Sequence, residues 1–114
     1  MLQITASNKI YFSKSGVDFR SGIEKLSAYC RNVIKMNPMD GAYFVFKNKS
    51  SKQLKILHYD GVGYFLCIRR FSQGKIGWWP DRNSNEMDGR ELQILLFGGN
   101  PDKAQFPKYW KKID

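Results

Sequence analysis

The stretch that most constrains the fold of this chain is "QLKILHYDGVGYFLCIRRF", residues 53 to 71. Two runs rich in aliphatic, aromatic and β-branched residues meet at the corner Asp60-Gly61-Val62-Gly63. Asp and Gly supply the side-chain acceptor and the positive φ that a tight reversal needs, so the pattern reads as a β-hairpin. Just upstream, "AYFVFKN" has the composition of a third strand and "KSSK" that of a polar turn. Together they predict a three-stranded antiparallel meander. The corner accommodates a two-residue or a three-residue loop, and a slip of one residue exchanges the faces. A three-residue loop is the preferred reading. It puts Leu54, Ile56, Leu66 and Ile68 on one face and Lys55, Leu57, Tyr59, Phe65, Cys67 and Arg69 on the other, leaving one nearly all-apolar face for a helix.

The flanking segments supply the partners. Leu2 to Thr5 and Ile10 to Phe12 are short β-like runs stopped by Gly16. In "SGIEKLSAYCRNVIKMNP", Ser21 and Glu24 form a capping-box signature, and Ile23, Leu26, Cys30, Val33 and Ile34 recur at helical spacing. Lys35 suits the negative pole of that helix, and Pro38 prevents its continuation. The segment "GKIGWWPDRNSNEMDG" reads as a loop entered by a short strand at Ile76 to Trp79. A second capping signature, Asp88 with Glu91, precedes the stripe Leu92, Leu95 and Leu96 and a stop at Gly98-Gly99.

With 114 residues, 42% of them hydrophobic and 15% aromatic, the chain can bury a core without metals or disulfides. The expectation is an α+β fold. It consists of an antiparallel meander of three to five strands, with one long helix from the N-terminal half and a short C-terminal helix packed on one face. Residues 1 to 99 form the single domain, and residues 100 to 114 a basic, aromatic, proline-broken extension.

Catalysis finds little support in the residues. His58 is the one histidine and sits in mid-strand, and Cys30 and Cys67 lie inside apolar segments as core thiols. Cysteine and histidine share no ligand spacing, so no metal site is read. Asp18, Asp40, Asp60 and Asp81 adjoin glycine or proline or precede a helix, where turn and cap duty explains them. The lone G-x-G of "GVGYF" is neither a P-loop nor a dinucleotide fingerprint. No catalytic residue and no cofactor is expected. A small metal-dependent nuclease stays open as an alternative, because catalytic acids need only converge in space.

Charge is the one signal above background. The formal net charge is +9, from 19 basic and 10 acidic residues, which favours polyanionic partners. No apolar run approaches the roughly 20 residues that span a bilayer, so a cytoplasmic protein without a membrane partner is expected. Lys47, Lys49, Lys52, Lys55, Arg69, Arg70 and Lys75 crowd the meander, with Asp60 the one acid among them. An antiparallel arrangement brings the Lys47 to Lys55 turn and Arg69-Arg70 to the same end of the sheet. Such a cluster, with Arg20 at the helix start, can neutralise phosphates with little sequence discrimination. Trp78 and Trp79 can stack on unpaired bases if exposed, although packing beside Pro80 is the better reading.

The order of these pieces resembles a known family. "IYFSKSGVDFRSGIEKL", "NPMDGAYFVFKNKSSKQLKILHYDGVGYFLCIRRFSQGKIGWWP" and "ELQILLFGG" follow one another as in the second-open-reading-frame protein of IS66-type insertion sequences, a TnpB-type transposition accessory protein. The most specific elements are Asp18-Phe19-Arg20 with Gly22, "FVFKNK", Tyr59-Asp60-Gly61 with Gly63, and Trp79-Pro80. The resemblance spans about residues 10 to 99. It departs in the long spacer after Pro80, in the tail after Gly99, and at Cys67 and Ile68, where aromatic residues are expected. It implies a bacterial protein encoded beside a separate DDE-type transposase and needed for transposition, with no assigned catalytic residues. Its partners would be DNA, at the element ends or non-specifically, and that transposase. A protein-protein adaptor for the transposase is the main alternative role.

Overall fold

A computed structural model describes residues 8–20 and 22–99. The β-like run at Leu2 to Thr5, the candidate cap residue Ser21 and the C-terminal extension lie outside these. Within them the order is β1 (Ile10–Phe12), α1 (Ile23–Tyr29), a π-helical turn (Cys30–Ile34), β2 (Tyr43–Lys47), β3 (Gln53–Tyr59), β4 (Tyr64–Arg70), β5 (Glu86–Met87) and α2 (Gly89–Leu96). One five-stranded sheet has the spatial order β4-β3-β2-β1-β5. No helix among the described residues is long and apolar enough to cross a membrane.

The meander β2-β3-β4 forms as its pattern implies, but the whole sheet is mixed rather than antiparallel. β1 runs parallel to β2, with Ile10 opposite Tyr43 and Phe12 opposite Val45. The chain leaves β1, passes through α1 and returns alongside, and a crossover of this kind is what a parallel pair requires. β5, which the sequence reading missed, closes the other side of β1 antiparallel, with Ile10 opposite Met87. Ile76 to Trp79, expected as a strand, is irregular. Its backbone is pinned by Ile76 N donating to Ser51 O at 2.7 Å and Gly77 N donating to Gly98 O at 2.8 Å.

The two helices cover opposite faces, not one. Leu26, Cys30 and Ile34 pack with Tyr11, Phe44, Phe46 and Leu57 on the first face. Leu92 and Leu95 pack with Ile10, Phe12, Tyr43, Val45, Leu54 and Ile56 on the second. The reason lies in β2, where Tyr43, Phe44, Val45 and Phe46 are all buried, so apolar residues occupy both faces of the central strand. Each such side chain contributes about 1.5–3 kcal/mol when removed from water, which demands cover on both sides.

The β3–β4 hairpin takes the other register, with a two-residue loop at Gly61-Val62. Tyr59 pairs with Tyr64, Leu57 with Leu66 and Ile56 with Cys67. Ile56, Cys67 and Arg69 therefore share one face, and Lys55, Leu66, Ile68 and Arg70 the other. Asp60 decides the turn. Its carboxylate accepts from Val62 N and Gly63 N, each at 2.9 Å, while its own amide donates to Gly63 O at 3.1 Å. Gly61 supplies the required positive φ of 97°. Those three hydrogen bonds outweigh the preference for a single apolar face, which a sheet covered on both sides does not need.

The first helix is also shorter and less regular than its apolar stripe implies. Gly22 occupies the N-cap position with no side-chain cap bond. After Tyr29 the π-helical turn advances the chain by more residues per turn than an α-helix. Ile34 then faces the core and Val33 swings outward, 55% exposed. Lys35 closes the turn in left-handed conformation, and Met36 N donates to Cys30 O at 2.9 Å. The second capping box forms as read: Glu91 N donates to Asp88 Oδ1 at 2.8 Å and Asp88 N to Glu91 Oε1 at 3.1 Å.

One close approach fixes the end of the sheet. Between β1 and α1 the chain runs against the β2–β3 turn, with Val17 N donating to Lys47 O at 2.9 Å. A Cβ on Gly16 would stand 2.8 Å from the Lys49 Cα and 2.9 Å from the Asn48 carbonyl oxygen. Backbone cannot yield there as a flexible side chain would. Gly16→Ala is expected to destabilise the protein by about 1–3 kcal/mol, read as a lower urea midpoint at unchanged m-value.

Candidate nucleic-acid interface

The basic end of the sheet is assembled around Asn48. Its Oδ1 accepts from Lys52 N at 2.8 Å and Gln53 N at 3.0 Å, and its carbonyl accepts from Ser51 N at 3.0 Å. Ser51 adopts φ 59° to complete the reversal. The turn between β2 and β3 thus becomes a firm projection carrying Lys49, Ser50 and Lys52, with Lys49 and Lys52 exposed.

A concavity flanks each side of this projection. On one side the segment after β4 folds back, held by Phe71 N donating to Lys52 O at 3.1 Å and by the Ile76 bond to Ser51. The cleft so formed, about 550 Å³, is lined by Lys52, Arg70, Phe71, Ser72, Gly74 and Lys75. Three cations border it and no carboxylate does. None of the three joins an ion pair among the described residues. On the other side a cleft of about 440 Å³ is lined by Val17, Asp18, Phe19, Arg20, Asn48, Lys49, Ser50 and Gln53.

Here the charges are partly cancelled. The Arg20 guanidinium grips Asp18 in a two-pronged pair, Nη2 to Oδ2 at 2.9 Å and Nε to Oδ1 at 3.1 Å. The side-chain bond from Arg20, followed by the Arg20 amide, holds the Asp18 carboxyl well below the usual carboxylate range. The same bond raises Arg20 above its ordinary value. The clamp therefore persists through mildly acid conditions, and Arg20 offers less net charge than its exposure implies.

Other members of the sequence-predicted set are placed differently. Lys55 is buried at 6% exposure, its Nζ donating to the Phe19 carbonyl at 3.0 Å and sitting 4.6 Å from the centre of the Phe19 ring. It fastens the segment between β1 and α1 to the sheet rather than reaching outward. Lys47 is half-buried, 3.4 Å from Ser51 Oγ and 5.3 Å from the centre of the Trp79 ring. Arg69 is exposed, but the register turns it to the face opposite Arg70. Trp79 is half-buried, donates Nε1–H to Ser13 O at 2.9 Å and meets Phe12 edge-on at 6.2 Å, while Trp78 packs on the same core. Both indoles serve packing, which leaves no free stacking platform on Trp79. Sequence reasoning missed Asp18 as the partner of Arg20, although their spacing of two was a readable cue. It also missed Ser72 and Gly74, which only the fold-back of the chain brings beside Lys52.

The one histidine and the buried cysteine are engaged in packing. His58 stacks on Tyr43 at 4.1 Å between ring centres, its Nδ1 3.4 Å from the Ala42 carbonyl. Burial pushes the Cys30 thiol up to about 12, so it stays protonated at neutral pH and is a poor nucleophile or ligand. Among the described residues no three of His, Cys, Asp and Glu stand close enough together to hold a metal ion.

Comparison with known proteins then decides the kinship. The family model for "IS66 Orf2 like protein" matches residues 8–106. The chain belongs to the IS66 Orf2-like family. Two relatives come from Sinorhizobium fredii (strain NBRC 101917 / NGR234). The uncharacterized protein y4hO is 32% identical over 99 residues, 86% of each chain. The uncharacterized protein y4jC is 29% identical over 91 residues, 79% of this chain and 78% of that one. No solved structure matches. Family membership associates the chain with an insertion-sequence transposition system, as the sequence resemblance implied.

Because Lys55 acts inside the protein, Lys55→Ala is expected to lower stability by about 1–3 kcal/mol in urea unfolding. A phosphate contact at the surface would leave stability unchanged.

Proposed function

We propose that this protein is a non-catalytic accessory factor of transposition that binds DNA through the basic end of its sheet. The observation that carries the reading is the cleft bordered by Lys52, Arg70 and Lys75 with no carboxylate in its lining. Lys49 extends it across the β2–β3 projection, and Arg20 lies beyond, restrained by Asp18. Lysine acts here as a point charge and arginine as a planar fork, and both suit phosphate oxygens. Neutralising phosphates releases condensed counterions, so affinity falls steeply with salt. Both helices pack on the sheet, and neither stands out as a reading element for a groove, so binding follows the backbone more than base sequence. The protein would act in the cytoplasm, on element ends or on DNA generally.

The transposase of the same element is the second partner in this reading. A net charge of +9 steers encounter with an acidic protein surface as readily as with DNA. Transposase that copurifies after nuclease treatment and high salt would favour the adaptor role over the DNA-binding one.

The test is a salt titration of DNA affinity. The triple variant Lys52→Glu, Arg70→Glu, Lys75→Glu is expected to weaken binding strongly at low salt and to flatten the log–log salt slope by about 3. Asp18→Asn keeps the turn acceptor but frees Arg20, and should steepen the slope by about 1. Arg20→Ala should change little. Affinity and slope unaltered in the triple variant would remove this cleft as the DNA site.

A further inference from the structure

The sheet ends at β4, and no described residue pairs with its outer side. That strand runs seven residues in unbroken register from Tyr64 to Arg70, with neither proline nor bulge. Its first five residues, Tyr-Phe-Leu-Cys-Ile, carry no charge. Phe65 and Ile68 are 49% and 58% exposed, one on each face. Soluble proteins shield such edges, because a row of free amides and carbonyls is a template for another strand.

The direction of those free groups follows from the hairpin. Asp60 and Gly63 form the hydrogen-bonded pair that closes the turn, and bonded and non-bonded pairs alternate along an antiparallel ladder. Phe65, Cys67 and Arg69 therefore turn their backbone groups to β3. Tyr64, Leu66, Ile68 and Arg70 turn theirs outward.

We infer that β4 pairs antiparallel with β4 of a second copy about a two-fold axis at Cys67. In that register Leu66 faces Ile68 and Tyr64 faces Arg70, and every outward amide and carbonyl meets another. Phe65 faces Arg69, and Cys67 faces its own counterpart at a non-bonded position. The charge pattern of the strand is self-compatible in this register. Each arginine falls against an aromatic ring of the other copy and none against another arginine, whereas centring on Arg69 would oppose like charges. Other centres within the strand shorten the shared ladder. The interface is isologous and joins two five-stranded sheets into one. It sets the two Arg70 side chains, and with them the two basic clefts, roughly 20 Å apart along the strand direction. This inference stands independently of the DNA-binding reading.

The full chain is tested by light-scattering mass and by thiol oxidation. Cysteines opposed at a non-bonded antiparallel position lie about 4.5 Å apart at Cα, within disulfide range. Diamide, accepting the two electrons, should give a covalent dimer that Cys67→Ser abolishes, since Cys30 is fully buried. Ile68→Pro removes an amide that points only at the second copy and should halve the mass with an unchanged circular dichroism spectrum. If that variant loses its fold, Ile68→Lys keeps the backbone and should likewise favour monomer. A monomeric wild-type chain overturns the inference, whether or not removing residues 100–114 then produces a dimer. A dimer that resists both substitutions overturns it too.

Discussion

Burial of both faces of β2 is the constraint on which the rest of the structure depends. Tyr43 to Phe46 places four large apolar side chains alternately above and below the sheet, none of them exposed. One layer of helix cannot dehydrate both faces. The chain therefore passes under the sheet with α1 and the π-helical turn, and over it with α2 and the segment that carries Trp78 and Trp79. The parallel pairing of β1 with β2 follows, because a strand that feeds a crossover helix returns in the same direction.

A sheet covered on both faces has few places left for solvated charge. Its ends and its outer strand are those places, where Lys49, Lys52, Arg69 and Arg70 stand exposed, while Lys25, Arg31, Lys35, Arg82 and Arg90 are exposed on the helices and loops outside it. The Asn48 side chain makes the collection firm by satisfying the amides of Lys52 and Gln53. The same geometry divides the set. Lys52, Arg70 and Lys75 keep their charge available around one cleft, whereas Arg20 is clamped by Asp18 and Lys55 is drawn under Phe19. Proximity in the fold is thus a poor measure of what a cation offers a partner, and the neighbouring acceptor decides.

The meander was legible because its signals are local. Strand composition, the Asp60-Gly61 turn and the Asp88–Glu91 capping box each act over a few residues. The hairpin register was not, since it depends on whether one face or both are covered, a property of the whole sheet. The phase of the first helix was lost for a different reason, as Cys30–Ile34 winds with a period that a 3.6-residue template does not contain. Of the basic set, convergence at one sheet end could be read from strand order alone. Which members stay exposed could not. Lys55 alternates onto a face that only the observed register assigns, and its acceptor, the Phe19 carbonyl, lies 36 residues away in the chain.

The cleft beside Lys52 owes its form to main-chain bonds. Phe71 and Ile76 are tied to the carbonyls of Lys52 and Ser51 through amides that every residue except proline possesses. Shape and chemistry are accordingly decoupled at this site. Side chains along its rim can change while the mould that presents them stays the same.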